Sequence, residues 1–222
     1  MRILHNGQAV IIGVEEVNPK DLPDSIKVIG CPMTGMDHLP WDFINKKNIK
    51  VISLTGETEF LRNITSTAEH TIGLVISLLR NYKTILNSPY KDRDECTGHT
   101  LKGKTLTIIG YGRVGKQVAD IAKAFQMKVL SFEKEEPIHS LYDILQKSDI
   151  VSLHIPLLGN EGFFTKEMFY AMKQTAYLVN TSRSGIVEPG ALLWALKDKH
   201  IAGAAVDFTD DNRSLWDGHF AG

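Results

Sequence analysis

Three glycines, Gly110, Gly112 and Gly115, stand between an apolar run and a helical pattern, and this junction constrains the fold more than any other feature of the chain. Leu106 to Ile109 is short, apolar and β-branched, as a strand buried in a parallel sheet should be. From Gly115 onward, Val118, Ile121, Ala122 and Phe125 recur at helical spacing. A second apolar run, Val129 to Phe132, ends in Glu133, 23 positions after Gly110. Strand, glycine turn, helix, strand and acid, in that order, predict a dinucleotide site. Gly110 permits the tight turn out of the strand, Gly112 lets a pyrophosphate approach the backbone, and Gly115 lets the helix pack close to the sheet. The helix start, with Arg113 and Val114, offers N–H groups and partial positive charge to the phosphates, and Arg113 adds a cation. Glu133 accepts from both ribose hydroxyls and repels a 2′-phosphate, so the expected cofactor is NAD rather than NADP. Lys134 acts against that preference. The alternative, a glycine turn in an α/β protein with no nucleotide, is disfavoured by the flanking pattern.

The rest of the composition narrows the class. A chain of 222 residues allows one large domain or two small ones, and 43% hydrophobic with 23% charged residues suits a soluble globular core. A formal net charge of −1 argues against binding nucleic acid or a membrane surface through bulk charge. No apolar stretch approaches a membrane span, and Met1 to Gly7 lacks the apolar core of a signal peptide. Cys31 and Cys96 are far apart and without metal-ligand spacing, so they read as thiols of a reducing cytosol. A cytoplasmic protein with no metal is the expectation.

Strands and helices alternate along the chain. Strands are expected at Ala9–Gly13, Ile26–Gly30 and Ile49–Ser53, with a short helix over Trp41–Lys47. Together they suggest a parallel sheet fragment. A long helix follows from about Ser66 to Leu86, with Ile72, Leu74, Val75, Leu78 and Leu79 crowding most of its circumference. Such a helix is buried between layers or at a subunit interface. After Glu133, Ser140 to Asp143 resembles a capping box opening a helix to Gln146. Strand Ile150–His154, a helix from Thr165 through Met172, strand Ala176–Asn180, helix Glu188–Asp198 with Pro189 in its first turn, and strand Ala202–Asp207 complete the pattern. The fold class is α/β: a Rossmann-type doubly wound parallel sheet over 67–222, preceded over 1–66 by a smaller, incomplete flavodoxin-like α/β piece. Ligands of such sheets sit at the carboxyl ends of the strands, where His154, Asn180 to Arg183 and Asp207 join Gly110.

These residues resemble the D-isomer-specific 2-hydroxyacid dehydrogenases, which include phosphoglycerate, formate and D-lactate dehydrogenases. The resemblance covers nearly the whole chain and rests on four motifs: Met33 to His38, Ser66 to Thr71, the glycine turn, and His154-Ile155-Pro156 followed by Val179 to Val187 and Ala204 to Asp207. It implies NAD-dependent hydride transfer at C2 of a small 2-hydroxy or 2-keto acid, in a homodimer. Arg183 matches the catalytic arginine, whose planar fork suits the substrate carboxylate and carbonyl oxygen. The backbone N–H groups of Thr34 and Gly35 match the substrate-carboxylate positions. Asp207 matches the acid beside the nicotinamide carboxamide. Thr71, Ile155 and Thr181 match cofactor-lining positions, with His154 and Pro156 in the cofactor wall.

Two departures bear on activity. The family pairs a histidine, in a Pro-His motif, with a carboxylate about five residues after the position of Asp207. Asn212 stands there, with Asp211 adjacent, and His219 is too early and outside a Pro-His context. Ser184 occupies a position the family usually gives to glycine. Relative to the family the chain reads as shortened at both ends, so the expectation is NAD(H) binding with poor turnover. A non-catalytic NAD(H)-sensing interaction module is the competing reading.

Overall fold

The computed structural model describes residues 2–4, 7–13, 17–87 and 97–207. The chain divides into two compact units, Met1–Ile64 and Thr65–Gly222.

In the first unit β1 (Arg2–Leu4) runs antiparallel to β2 (Ala9–Ile11), and β2 continues in parallel to β3 (Val28–Cys31) and β4 (Lys50–Ser53). The three anticipated strands therefore pair in parallel, while the antiparallel β1 is an addition. Helix α1 (Trp41–Lys47) crosses between β3 and β4, and α2 (Thr58–Arg62) follows β4. Alternate strand residues Val10, Ile29 and Cys31 meet Ile44 of α1 with Leu22, Ile26, Leu39 and Ile49 in one small core. Burial pushes the Cys31 thiol pKa up, which keeps it protonated and chemically quiet.

The second unit opens with α3 (Ser66–Leu79) and α4 (Tyr82–Asn87). Then β5 (Thr105–Ile109), α5 (Arg113–Ala124), β6 (Lys128–Phe132), α6 (Ile138–Leu145), β7 (Ile150–Leu153), α7 (Lys166–Ala171), β8 (Tyr177–Asn180), α8 (Ala191–Lys197) and β9 (Gly203–Val206) alternate. Every pairing in this sheet is parallel, in the order β6-β5-β7-β8-β9. The two-residue side-chain period divides the core. Leu106, Ile108, Ile150, Val179 and Ala205 face α3 and α5 on one side. Ile109, Val151, Leu153, Leu178 and Ala204 face α6, α7 and α8 on the other. Helices thus cover both faces, as a doubly wound sheet requires. At the amino end of the sheet Asp149 accepts from the Thr105 N–H at 2.8 Å and pairs with Lys173 at 3.0 Å. Burial alone would raise the Asp149 carboxyl pKa, yet these partners hold it below the ordinary value.

Several boundaries differ from the sequence expectation. The helix expected from Ser66 to Leu86 is two helices, because Asn81 takes a left-handed φ of 55° and stops α3. Ser140 lies inside α6, where its hydroxyl donates to the Pro137 carbonyl at 2.8 Å instead of capping the helix. α8 begins at Ala191 rather than Glu188: the Glu188 carboxylate accepts from the Lys166 N–H at 3.0 Å, and Gly190 at φ 76° breaks the path. Phe125 is not on the buried face of α5 but caps its C-terminus, 43% exposed. Among the described residues no helix is long and apolar enough to cross a membrane.

Candidate functional site

The order of strands places a switch point between β5 and β7: the chain leaves β5 for α5 on one face and returns to β7 through α6 on the other. The glycine turn sits at the carboxyl end of β5, at that point. Gly110 has φ 93°, and a Cβ there would lie 2.7 Å from the His154 carbonyl oxygen and 2.8 Å from Ile155 Cγ2. The turn therefore needs glycine for its conformation and for its contact with the end of β7. A Cβ on Gly115 would collide with the Gly110 carbonyl oxygen and lie 3.0 Å from Ile108 Cγ2, so α5 packs directly on β5.

Gly112 is different. A Cβ there meets nothing within 4 Å, and its φ of −74° is open to any residue. Among the described residues no contact accounts for glycine at this position, but it fits a group that must lie against the backbone. Gly112 is the N-cap of α5 without a side-chain cap, and the first ladder bond runs from the Lys116 N–H to the Gly112 carbonyl at 2.9 Å. The N–H groups of Arg113, Val114 and Gly115 therefore point out of the helix end toward that open space, with no acidic residue in the first turn. The Val114 side chain packs against the α3–α5 core, while Arg113 is half-buried. This arrangement suits a diphosphate.

The remaining second-unit candidates lie along the same rim. Ile109 is opposite Phe132 in register, which sets the exposed Glu133 next to Gly110 at the end of β6. His154 follows β7, its N–H donating to the Ile109 carbonyl at 2.8 Å and its Nε2 2.8 Å from Ser152 Oγ. Burial pushes the imidazole pKa down from 6.5 to about 4, so the ring is neutral at pH 7. Ile155 and Pro156 continue the wall, partly buried and exposed respectively.

At the end of β8, Asn180 folds the next residues into a hook. Its Oδ1 accepts from the Ser182 N–H at 3.0 Å and its Nδ2 donates to the Arg183 carbonyl at 2.9 Å. Ser182 Oγ donates to the Leu153 carbonyl at 2.8 Å and ties the hook to β7. Arg183 thus starts from an anchored, extended backbone (φ −142°, ψ 143°), and its Nη1 donates to the Ser182 carbonyl at 3.0 Å. Ser184 begins a 3-10 turn, Ser184–Ile186, without left-handed backbone, so glycine is not needed there. Thr181 Oγ1 is 2.9 Å from Thr71 Oγ1, both buried, and Thr71 also donates to the Thr67 carbonyl at 2.7 Å. Asp207, just past β9, donates its N–H to the Asn180 carbonyl at 3.0 Å, and its carboxylate lies 3.4 Å from His70 Nε2.

In the first unit the loop after β3 carries Thr34 and Gly35. Thr55 Oγ1 donates to the Thr34 carbonyl at 3.0 Å. In a planar trans peptide the N–H points opposite to the C=O, so this bond aims the Gly35 N–H away from Thr55. Asp211, Asn212 and His219 lie outside the described residues.

Sequence patterns do not single out Ser152, and they give Ser182 and His70 no role of their own although both lie inside named motifs. The two serines follow only once β7 and the Asn180 hook are built, and His70 meets Asp207 across 137 residues of chain, a pairing with no local signal.

The buried neutral state of His154 has a measurable consequence. Its folded pKa is depressed, so below pH 6.5 the unfolded chain takes up a proton that the folded chain refuses. Stability is expected to fall by roughly 2 kcal/mol as pH drops from 6.5 towards 4, after a discount for the ring's partial exposure. Urea unfolding across that window should show the decline, and His154→Gln should flatten it.

Residues 72–219 match the model of the D-isomer specific 2-hydroxyacid dehydrogenase, NAD binding domain. The chain is 33% identical over 221 residues to a D-3-phosphoglycerate dehydrogenase of Bacillus subtilis, covering 92% of this chain and 41% of that protein. It is 34% identical over 200 residues to a glycerate dehydrogenase of Methylorubrum extorquens, covering 85% and 62%. A crystal structure of D-lactate dehydrogenase from Aquifex aeolicus, complexed with NAD and lactic acid, superposes with a TM-score of 0.79 at 27% identity, over 94% of this chain and 66% of that one. The chain spans about two fifths to three fifths of the length of those two curated relatives. With this match spanning the glycine turn and all five strands of its sheet, the chain belongs to the D-isomer specific 2-hydroxyacid dehydrogenases and carries that family's NAD binding domain.

Proposed function

We propose that this chain serves NAD-dependent hydride transfer between nicotinamide and C2 of a short 2-hydroxy or 2-keto acid. The observation that carries the proposal is the open space at Gly112, facing the outward N–H groups of α5 at the β5/β7 switch point. In this reading Gly110, Gly112, Arg113, Val114 and Gly115 cradle the diphosphate. Glu133 accepts from the adenosine ribose hydroxyls. His154, Ile155, Pro156, Thr71 and Thr181 wall the cofactor, and Asp207 accepts from the carboxamide. NAD(H), when bound, accepts or supplies the hydride.

The chain's own work is electrostatic. Arg183 holds the substrate carboxylate and stabilises charge developing on the C2 oxygen. In the first unit, the backbone N–H groups of Thr34 and Gly35 are proposed as carboxylate donors, the latter directed away from Thr55 by the Thr55–Thr34 bond. His154 is not assigned proton transfer: its ring is committed to Ser152 and resists protonation. No Pro-His pair occurs in the 222 residues, so they are proposed by themselves to bind NADH well and to turn over slowly.

A homodimer is part of the proposal. The apolar face of α3 is taken up by its own sheet and α5, whereas α4 leaves Tyr82, Ile85 and Leu86 exposed. That second surface suits a partner copy.

NADH oxidation with a panel of short 2-keto acids tests the activity. Slow substrate-dependent oxidation is expected, reduced at least about tenfold by Arg183→Lys because an ammonium cannot make the bidentate contact. A folded chain that binds NADH but oxidises it no faster with any panel member would leave the sensing reading in its place.

A further inference from the structure

Resting on the cofactor placement above, we infer that His70 is a positioning residue for the nicotinamide end of the site, acting through the carboxylate of Asp207. Among the described residues, Asp207 is bonded through its backbone to Asn180, and its side chain is 40% exposed. Such a carboxylate samples several rotamers in water. His70 Nε2 stands 3.4 Å from Oδ1. An imidazole N–H held there restricts the carboxylate and leaves Oδ2 to accept from an amide.

The histidine is delivered by a rigid element. The next residue on α3, Thr71, is fully buried and bonded to both the Thr67 carbonyl and Thr181 Oγ1. Adjacent positions on one helix therefore touch the ends of adjacent strands: Thr71 reaches the end of β8 and His70 the end of β9. Any rotation of α3 that released His70 would break the buried threonine pair. His70 itself is half exposed, so its role is not core packing.

The test compares two probes on the intact chain. NADH spans the whole site, whereas ADP-ribose lacks the nicotinamide ring. His70→Ala is expected to weaken NADH about five- to tenfold, the effect of freeing one ordered side chain and losing one charge-assisted contact. ADP-ribose affinity and Tm should stay unchanged, and His70→Gln, which restores an N–H donor, should recover most of the loss. In an Asp207→Asn background His70→Ala should have little further effect. If Asp207→Asn weakens NADH while His70→Ala does not, the inference fails and the cofactor placement stands. Equal loss of both probes in His70→Ala would make the role structural and overturn the inference. Wild-type protein that binds neither probe would remove the cofactor placement and the inference with it.

Discussion

Replacing Gly115 with alanine is expected to destabilise the protein by about 4 kcal/mol. The added Cβ would overlap the carbonyl oxygen of Gly110 and press on Ile108 Cγ2 at 3.0 Å. The first of these neighbours is backbone, which cannot swing aside as a long side chain can. Relief requires lifting α5 from β5. That separates Val118, Ala119 and Ala122 from Leu106 and Ile108, all fully buried. At this chain length the loss corresponds to a Tm lowered by about 8–16 °C. Urea unfolding checks it directly, and a change below about 1 kcal/mol would mean that the helix does not lie on the strand as described.

The same substitution three residues earlier should have the opposite profile. Gly112→Ala places its Cβ where nothing lies within 4 Å. Stability should fall by no more than about 1 kcal/mol, the usual penalty for alanine at an N-cap. NADH affinity, by contrast, should fall about a hundredfold, or about 2.7 kcal/mol. A methyl in that space holds the diphosphate off the outward N–H groups of the first turn, and charge-assisted bonds of about 1.5–3 kcal/mol each are stretched or lost. One motif thus contains a structural glycine and a ligand glycine, and calorimetry beside urea unfolding separates them. Unchanged NADH affinity in Gly112→Ala would place the diphosphate elsewhere.

Much of this fold is legible in the sequence. The strands of the second unit are short, apolar runs set off by turns, and β5 to β9 fall within one or two residues of the expected ranges. The carboxyl-end rim followed, because in a parallel sheet the residue after each strand lands on the same edge. What the sequence hid was decided by tertiary context. Asn81 looks like an ordinary helix residue until its neighbours stop α3 there, with His99 donating to the Leu79 carbonyl at 2.6 Å and Gly98 packed against Arg80. Ser140 has a capping residue's chemistry but sits one turn too late, after Pro137 has opened α6. Glu188 and Pro189 look like a helix start, yet Glu188 is engaged with Lys166 on α7. The candidate site shows the same division. The glycines, Glu133, Arg183 and Asp207 are visible as motif positions, whereas Ser182 and His70 gain meaning only from the partners the fold brings to them.

Backbone NMR of the labelled chain, titrated with NADH, tests the central claim most directly. The account predicts the largest amide shifts at 110–115, with further shifts at Glu133, His154 to Pro156, Thr181 to Arg183 and Asp207, all at one edge of the sheet. Shifts centred on Asp149 and Lys173 at the opposite edge, or none at saturating NADH, would contradict it.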